Sequence, residues 1–282
     1  MSTTRARALL ERLHAGVADL ATDRDWRRYL DVAGRFHRYS WWNTVAIFCQ
    51  RPDASRVAGY RVWQRLGRQV RQGERGIRIL APCTYRQLVA DDASGDDTEI
   101  TQMRGFKVVS VFDIAQTDGE PLPEAPQVAS LDGPAPETLH HQLAALIRAE
   151  GFRFVLGTLP GRNASAMGVT DFGSRTVTVR NTLAGAQRAK TTAHELAHVL
   201  LHAPGQPAIG KARREIEAES VAYVVLAAMS VDAGTYSFGY VTAWAGGDTA
   251  VVQATGERVL ECARLVLDRL GASHGDAGRP AA

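Results

Sequence analysis

Cysteine, lysine and long apolar runs are all scarce in this sequence. Three cysteines, Cys49, Cys83 and Cys262, form an odd and widely spaced set without a CxxC pair. That excludes a disulfide framework and a cysteine-built metal cluster, and it suits a reducing, cytoplasmic setting. No stretch approaches the ~18 uninterrupted apolar residues of a membrane helix, so no membrane partner is expected. The segment from Met1 to Glu11 has arginines but neither an apolar core nor a small-residue cleavage site, so it does not read as a signal peptide. Lysine occurs three times, at Lys107, Lys190 and Lys211, against 30 arginines.

Acids are scarce in the first third. Residues 1–90 hold 17 arginines, no lysine and 7 acids, a balance of +10, whereas the rest of the chain holds 16 basic and 23 acidic residues, a balance of −7. A GC-rich genome explains arginine in place of lysine. It does not explain why acids avoid the first 90 residues, and a basic half joined to an acidic half suits binding to a polyanion.

The periodicity divides the chain in two. Residues 4–50 read as helical, with Leu9, Leu13, Val17 and Leu20 at helical spacing and a second apolar run from Trp26 to Phe48. A helix start near Tyr60, a strand at Ile77–Leu80, an acidic hairpin tip at Asp91–Glu99 and a strand at Phe106–Ile114 follow. Five of the eleven prolines fall between Glu120 and Glu137, which reads as a linker. Beyond it come a helix at Leu139–Glu150, a strand at Phe152–Leu156, a β-hairpin at Gly168–Asn181, and helices at Ala186–His202, Ala212–Met229 and Glu257–Leu270. The expectation is an α+β chain with domains at 1–118 and 137–273, a linker at 119–136 and a disordered tail at 274–282.

The strongest chemical signal is His194-Glu195-Leu196-Ala197-His198, an HExxH within the expected helix at Ala186–His202. Histidines four apart lie on one helix face, so both imidazoles can reach one Zn2+ ion, and Glu195 is placed to take a proton from the attacking water. A catalytic zinc needs a third protein ligand. His202 lies about 12 Å along the axis from His194 and is too far to share the ion. The next helix offers Glu215, Glu217 and Glu219, of which Glu215 and Glu219 share a face while Glu217 points elsewhere. Thr176–Val179, just before the zinc helix, is the candidate edge for pairing with an extended peptide. Tyr223 is read as packed, or as a group polarising a substrate carbonyl, and His140 and His141 as solvent-facing.

Glu215-Ile216-Glu217-Ala218-Glu219 resembles the ExxAD/E segment of thermolysin-like and M48-type zinc peptidases. The resemblance implies Glu215 as third ligand and Glu219 as the partner of a ligand histidine; Glu at 219, where Asp is commoner, leaves the two roles exchangeable. The N-terminal half adds Tyr39-Ser40-Trp41-Trp42-Asn43-Thr44, the run from Gly59 through Arg68-Gln69-Val70-Arg71-Gln72-Gly73-Glu74-Arg75 to Gly76, and Val111-Phe112-Asp113-Ile114-Ala115-Gln116-Thr117. This series is similar to the N-terminal single-stranded-DNA-binding domain of ArdC-type antirestriction proteins, which precedes an ImmA/IrrE-like zinc metallopeptidase domain. The implied architecture is an α/β ssDNA-binding domain followed by a zincin-like, gluzincin-type domain. Its partners are single-stranded DNA and an unidentified protein substrate, and its setting is protection of DNA on mobile elements.

Single strands are held by a basic groove and aromatic platforms. Trp41, Trp42, Asn43, Arg61, Trp63, Arg68, Arg71 and Arg75 are the candidate DNA-binding residues, with Tyr39, Tyr60, Arg65 and Arg78 interleaved. Tryptophan is also a core residue, Asn43 is equally a helix-interior polar group, and Gly73 and Gly76 read as turn residues. Two rivals accompany this reading: a regulatory protease of the ImmA/IrrE group that cleaves a repressor, and a non-enzymatic DNA binder with a structural zinc.

Overall fold

The computed structural model describes residues 2–90, 97–121, 136–159, 165–183, 185–206, 209–232 and 245–272. Most of the acidic tip, the linker and the C-terminal tail lie outside them. In chain order the helices are α1 (Ser2–Ala18), α2 (Asp23–Arg35), α3 (Trp41–Gln50), α4 (Tyr60–Arg65), α5 (Pro136–Ala149), α6 (Gly185–Leu201), α7 (Lys211–Ala228) and α8 (Thr249–Ala272). The strands are β1 (Val57–Gly59), β2 (Arg68–Val70), β3 (Ile77–Ala90), β4 (Asp97–Asp113), β5 (Thr117–Gly119), β6 (Arg153–Gly157), β7 (Gly168–Asp171) and β8 (Thr176–Arg180). This is a mixed helix-and-sheet chain, and none of the helices searched is long and apolar enough to cross a membrane.

Contacts divide the chain into residues 1–16 with 42–120, and residues 17–41 with 121–282. The division is therefore not a single cut near residue 118: the segment around α2 belongs with the second unit. The expected helical stretch from 4 to 50 is broken into three helices. Thr22 caps α2 by accepting a hydrogen bond from the Asp25 amide, the role for which a threonine at that position is suited.

In the first unit the sheet is ordered β1-β4-β3, and Ile77, Ile79 and Val111 of its strands are buried, as are Leu9 and Leu13 of α1 and Val45 and Ile47 of α3. Full burial of each such side chain stabilises by about 1.5–3 kcal/mol before entropy is subtracted. β3 and β4 run far beyond the expected 77–80 and 106–114, paired antiparallel through a register shift between Pro82 and Thr84; their polar outer halves carry no apolar alternation to announce them. β3 is the sheet's edge, and α3 covers it with side-chain amides. Asn43 donates to the Leu80 carbonyl and accepts from the Leu80 amide, both over 2.8 Å. Gln50 does the same for Arg78, both over 2.9 Å. Each amide takes the place of a neighbouring strand's peptide, one way of closing an exposed edge.

The Val111–Thr117 motif is structural in this arrangement. Asp113, 1% exposed, accepts from the amides of Ser55, Arg56 and Ala115. Gln116 returns a bond to the Asp113 amide and donates to Glu74 and the Arg75 carbonyl. This capping box fixes the Gly73–Gly76 turn, where Gly73 sits at φ +87° in the region that favours glycine.

In the second unit the sheet order is β6-β8-β7, with β6 parallel and β7 antiparallel to β8. The β7–β8 hairpin leads into α6, which packs on α5 and α7, while α7 also packs on α2 and α8. Trp26 of α2, fully buried, donates to Ser220 of α7 over 2.9 Å. Gly34 meets Ala227 so closely that a Cβ there would lie 3.0 Å from the alanine methyl.

Candidate metal centre and nucleic-acid surface

Helix α6 carries His194, Glu195 and His198 among the apolar residues Ala193, Leu196, Ala197 and Val199, all of them buried. The two histidines face Glu215 and Glu219 of α7, and Glu195 faces β7. The Nε2 atoms of His194 and His198 lie 3.0 Å apart. Glu215 Oε2 lies 3.5 Å from the first and 3.7 Å from the second. Among the described residues these three form the group able to hold a metal ion, with ligand atoms all within 4.8 Å of one another. Atoms held ~2.0–2.1 Å from one tetrahedral ion are separated by about 3.3 Å, so the donor set fits.

The electrostatics favour a cation. Hydrogen bonds from His194 and His198 hold the Glu215 carboxyl far below the usual carboxylate range. Burial disfavours charge on His194, but Glu215 and Glu219 outweigh it and push the imidazole up to about 9. Glu219 approaches His194 from behind, with Oε2 3.1 Å from Nδ1 and Oε1 2.8 Å from the Lys190 ammonium. Burial opposes ionisation of Glu219, yet His194 and Lys190 together hold its carboxyl below the ordinary value.

Glu195 is 5% exposed and receives the Thr170 hydroxyl at Oε2 over 2.7 Å. Gly168 gives it room, since a Cβ there would stand 2.6 Å from Glu195 Oε1. Both come from β7, whose outer edge has no strand partner among the described residues. The sequence pointed instead to Thr176–Val179, but β8 is the central strand and is paired on both sides.

Three participants escaped the sequence reading. Thr170 reaches the centre only through the hairpin. His202 lies one turn beyond His198 and meets it at the far nitrogen, Nδ1 to Nδ1 over 2.9 Å. Glu217, on another face of α7 than Glu215 and Glu219 as expected, is fully buried, 3.1 Å from His202 Nε2. The i,i+4 spacing of His198 and His202 was the available signal. Tyr223, 9% exposed, donates to Asp31 and lies beneath the Arg27 guanidinium, so it is a packing residue. His140, read as solvent-facing, is 1% exposed with Nδ1 2.9 Å from the Thr192 hydroxyl.

The expected DNA-binding residues separate sharply. Trp41 is 4% exposed in the second unit, its ring edge-on to Tyr29 and filling the space where Gly256 lacks a Cβ. Trp63 is 2% exposed and donates to the Phe112 carbonyl over 2.9 Å. Asn43 is committed to Leu80. These three are interior, which corrects the expectation that they face a ligand: an indole closed on both faces has none left for a base. Trp42 is half-buried against His14. Arg68 is committed to Thr117 and the Gly119 carbonyl, and Arg71 to Glu74 and Asp118. Arg61 and Arg75 remain exposed.

A basic groove lies elsewhere in the first unit. A cavity of about 1030 Å³ is lined by Arg12, Arg51, Arg75 and Arg78, and a second of about 500 Å³ shares Arg12 and Arg78 and adds Arg5. Its one acid, Glu74, accepts hydrogen bonds from Gln116 and then Arg71, which hold its carboxyl below the usual range. Arg5, Arg12, Arg75 and Arg78 are exposed, and none is paired with a carboxylate among the described residues. Among the described side chains of this unit, Tyr60, 42% exposed, and Phe106, 46% exposed, are open rings.

Comparison with known proteins places both halves. Residues 2–112 match the N-terminal domain of anti-restriction factor ArdC. Residues 159–228 match the IrrE N-terminal-like domain of the M78 peptidases. No curated protein matches. The chain is similar in fold to the metal-free crystal structure of the antirestriction ArdC protein from plasmid R388, with 21% identity, TM-score 0.53, and 83% of this chain and 86% of that one covered. The Mn(II)-bound structure of the same protein gives 19% identity, TM-score 0.50, and 82% and 84% coverage. The chain thus joins a segment similar to the ArdC N-terminal domain to one similar to the IrrE N-terminal-like domain, in that order, on a fold similar to that of the ArdC protein.

Proposed function

We propose that this chain is an antirestriction protein that binds single-stranded DNA through its first unit and hydrolyses peptide bonds with its second, in the cytoplasm. The observation that carries the enzymatic half is the convergence of His194 Nε2, His198 Nε2 and Glu215 Oε2 beside the buried Glu195. His194, His198 and Glu215 are the ligands in this reading, with Glu219 fixing His194. The ion is Zn2+, the usual choice for two imidazoles and a carboxylate; the Mn(II)-bound relative supports a divalent cation. When bound, the metal supplies Lewis acidity toward the scissile carbonyl and the attacking water.

The chain's own residues do the rest. Glu195 takes the proton from the attacking water and returns it to the leaving amine. Thr170 aims its carboxylate. The open edge of β7, which carries Thr170, is suited to pair with a substrate in extended form. In the first unit Arg12, Arg75 and Arg78 meet phosphates, each a salt-sensitive contact, and Tyr60 offers a ring on which a base can stack.

The test is proteolysis of the chain itself and of a generic unfolded protein, with and without single-stranded DNA, by wild type and Glu195→Gln. Cleavage by wild type alone supports the reading. Equal behaviour of the two proteins, with zinc bound and DNA binding intact, removes the peptidase and leaves the metal a structural role.

A further inference from the structure

Behind His198 a line of buried groups runs away from the metal centre. We infer that Glu217 and His202 are positioning residues that hold His198 as its Nδ1–H tautomer, leaving the Nε2 lone pair for the ion; this rests on His198 being a ligand. The argument starts at Glu217, which is fully buried and faces three donors. Arg213 Nε reaches Oε1 over 3.0 Å, Arg258 Nε reaches Oε2 over 3.2 Å, and His202 Nε2 lies 3.1 Å from Oε2. A buried carboxylate between two guanidinium groups is an acceptor only. The proton on that side of His202 is therefore on Nε2.

A neutral imidazole with its proton on Nε2 has a lone pair on Nδ1. That atom lies 2.9 Å from His198 Nδ1, and two lone pairs at such a distance repel, so His198 supplies the hydrogen. Its Nε2 is then unprotonated and points at His194 Nε2 and Glu215. At His194 the corresponding nitrogen, Nδ1, faces a carboxylate directly, Glu219 Oε2 over 3.1 Å. One ligand histidine is thus served by a carboxylate, and the other by a carboxylate acting through a second imidazole. Partners of this kind orient the ring and raise its basicity toward the metal.

Geometry on the two helices makes the relay possible. Glu217 is two residues, about 200°, around α7 from Glu215. His202 directly follows the last residue of α6, one turn beyond His198, its amide bonded to the His198 carbonyl. Arg258 of α8 also donates to the Leu201 carbonyl over 3.0 Å, so the end of α6 and the relay are anchored together.

The tautomers are directly readable in the metal-free, 15N-labelled full chain by long-range proton–nitrogen correlation at fixed, mildly alkaline pH. The expected result is Nδ1–H for His198 and Nε2–H for His202; Nε2–H on His198 overturns the inference. Zinc affinity by chelator competition gives a second reading. His202→Phe keeps ring bulk without an acceptor and is expected to weaken binding about 10–100-fold. His202→Gln, whose carbonyl can accept from His198, is expected to recover most of that. Binding by His202→Phe as tight as wild type, or no recovery in His202→Gln with equal thermal midpoints, refutes the relay. His194→Ala is the control: wild-type zinc affinity in that variant means that the ligand assignment, rather than the relay, has failed.

Discussion

The Thr170 hydroxyl donates to Glu195 Oε2 over 2.7 Å, tying the open strand β7 to the helix that bears both metal-site histidines. The strand on which a substrate would lie and the carboxylate that would move its proton are therefore held by one hydrogen bond. Thr170→Val preserves shape and removes the donor. Zinc affinity is expected to stay at the wild-type level while kcat for a cleaved peptide falls about 10–100-fold, the cost of a misdirected catalytic group. Gly168→Ala, which drives a methyl into Glu195, should lose more. Steady-state kinetics on zinc-loaded protein, with metal content measured in parallel, checks both.

The groove predicts a salt signature. Replacing Arg78 or Arg12 by Ala should lower the slope of log K against log salt for single-stranded DNA by about 0.7 per arginine. Arg71→Ala should do less, because that guanidinium is already committed to Glu74 and Asp118. Tyr60→Ala should cost about 1–3 kcal/mol of binding if a base stacks there. Trp63→Ala should instead cost about 3–5 kcal/mol of folding stability. Fluorescence anisotropy titrations at several salt concentrations, beside denaturant melts, separate the two kinds of loss.

Asn43 is expected to matter for stability. Asn43→Ala strands the amide and carbonyl of Leu80 at a buried edge, and each unmade bond costs about 1–3 kcal/mol. Asn43→Asp should be worse, because it turns a second acceptor toward the Leu80 carbonyl. Thermal and urea unfolding of the two variants tests the order.

The three cysteines should differ in reactivity. Burial pushes the Cys262 thiol up to about 12, and it is 4% exposed, so at pH 8 almost no thiolate exists there to react. Cys49 is exposed and Cys83 half-buried. A chromogenic disulfide reagent should titrate Cys49 at once, Cys83 more slowly and Cys262 only on unfolding. Fast labelling of Cys262 in the native protein would contradict this packing.

Much of the candidate metal centre was legible because its spacing is local. His194 and His198 are one turn apart on a single helix, and Glu215 and Glu219 repeat that spacing on the next. His202, Glu217 and Thr170 were not legible: their roles depend on how α6 is rotated against α7 and β7, which no window of sequence contains. The tryptophans were ambiguous for a different reason. A large ring beside arginines satisfies both the pattern of a stacking surface and that of a core, and packing decided for the core at Trp41 and Trp63. Strands β1, β2 and β5, three residues each, are too short to show any alternation.

The way α2 joins the second unit has a consequence for synthesis. Asp31 and Tyr223, joined by a hydrogen bond, are 192 positions apart, and Trp26 is 194 from Ser220. At ~5–20 residues per second, α2 leaves the ribosome about 10–40 s before α7 exists to receive it. During that interval Trp26, Tyr29 and Leu30 have no interior to enter. The nascent chain thus carries on α2 an apolar stripe that α7 covers only much later, and it depends on being shielded from aggregation until α7 has been made.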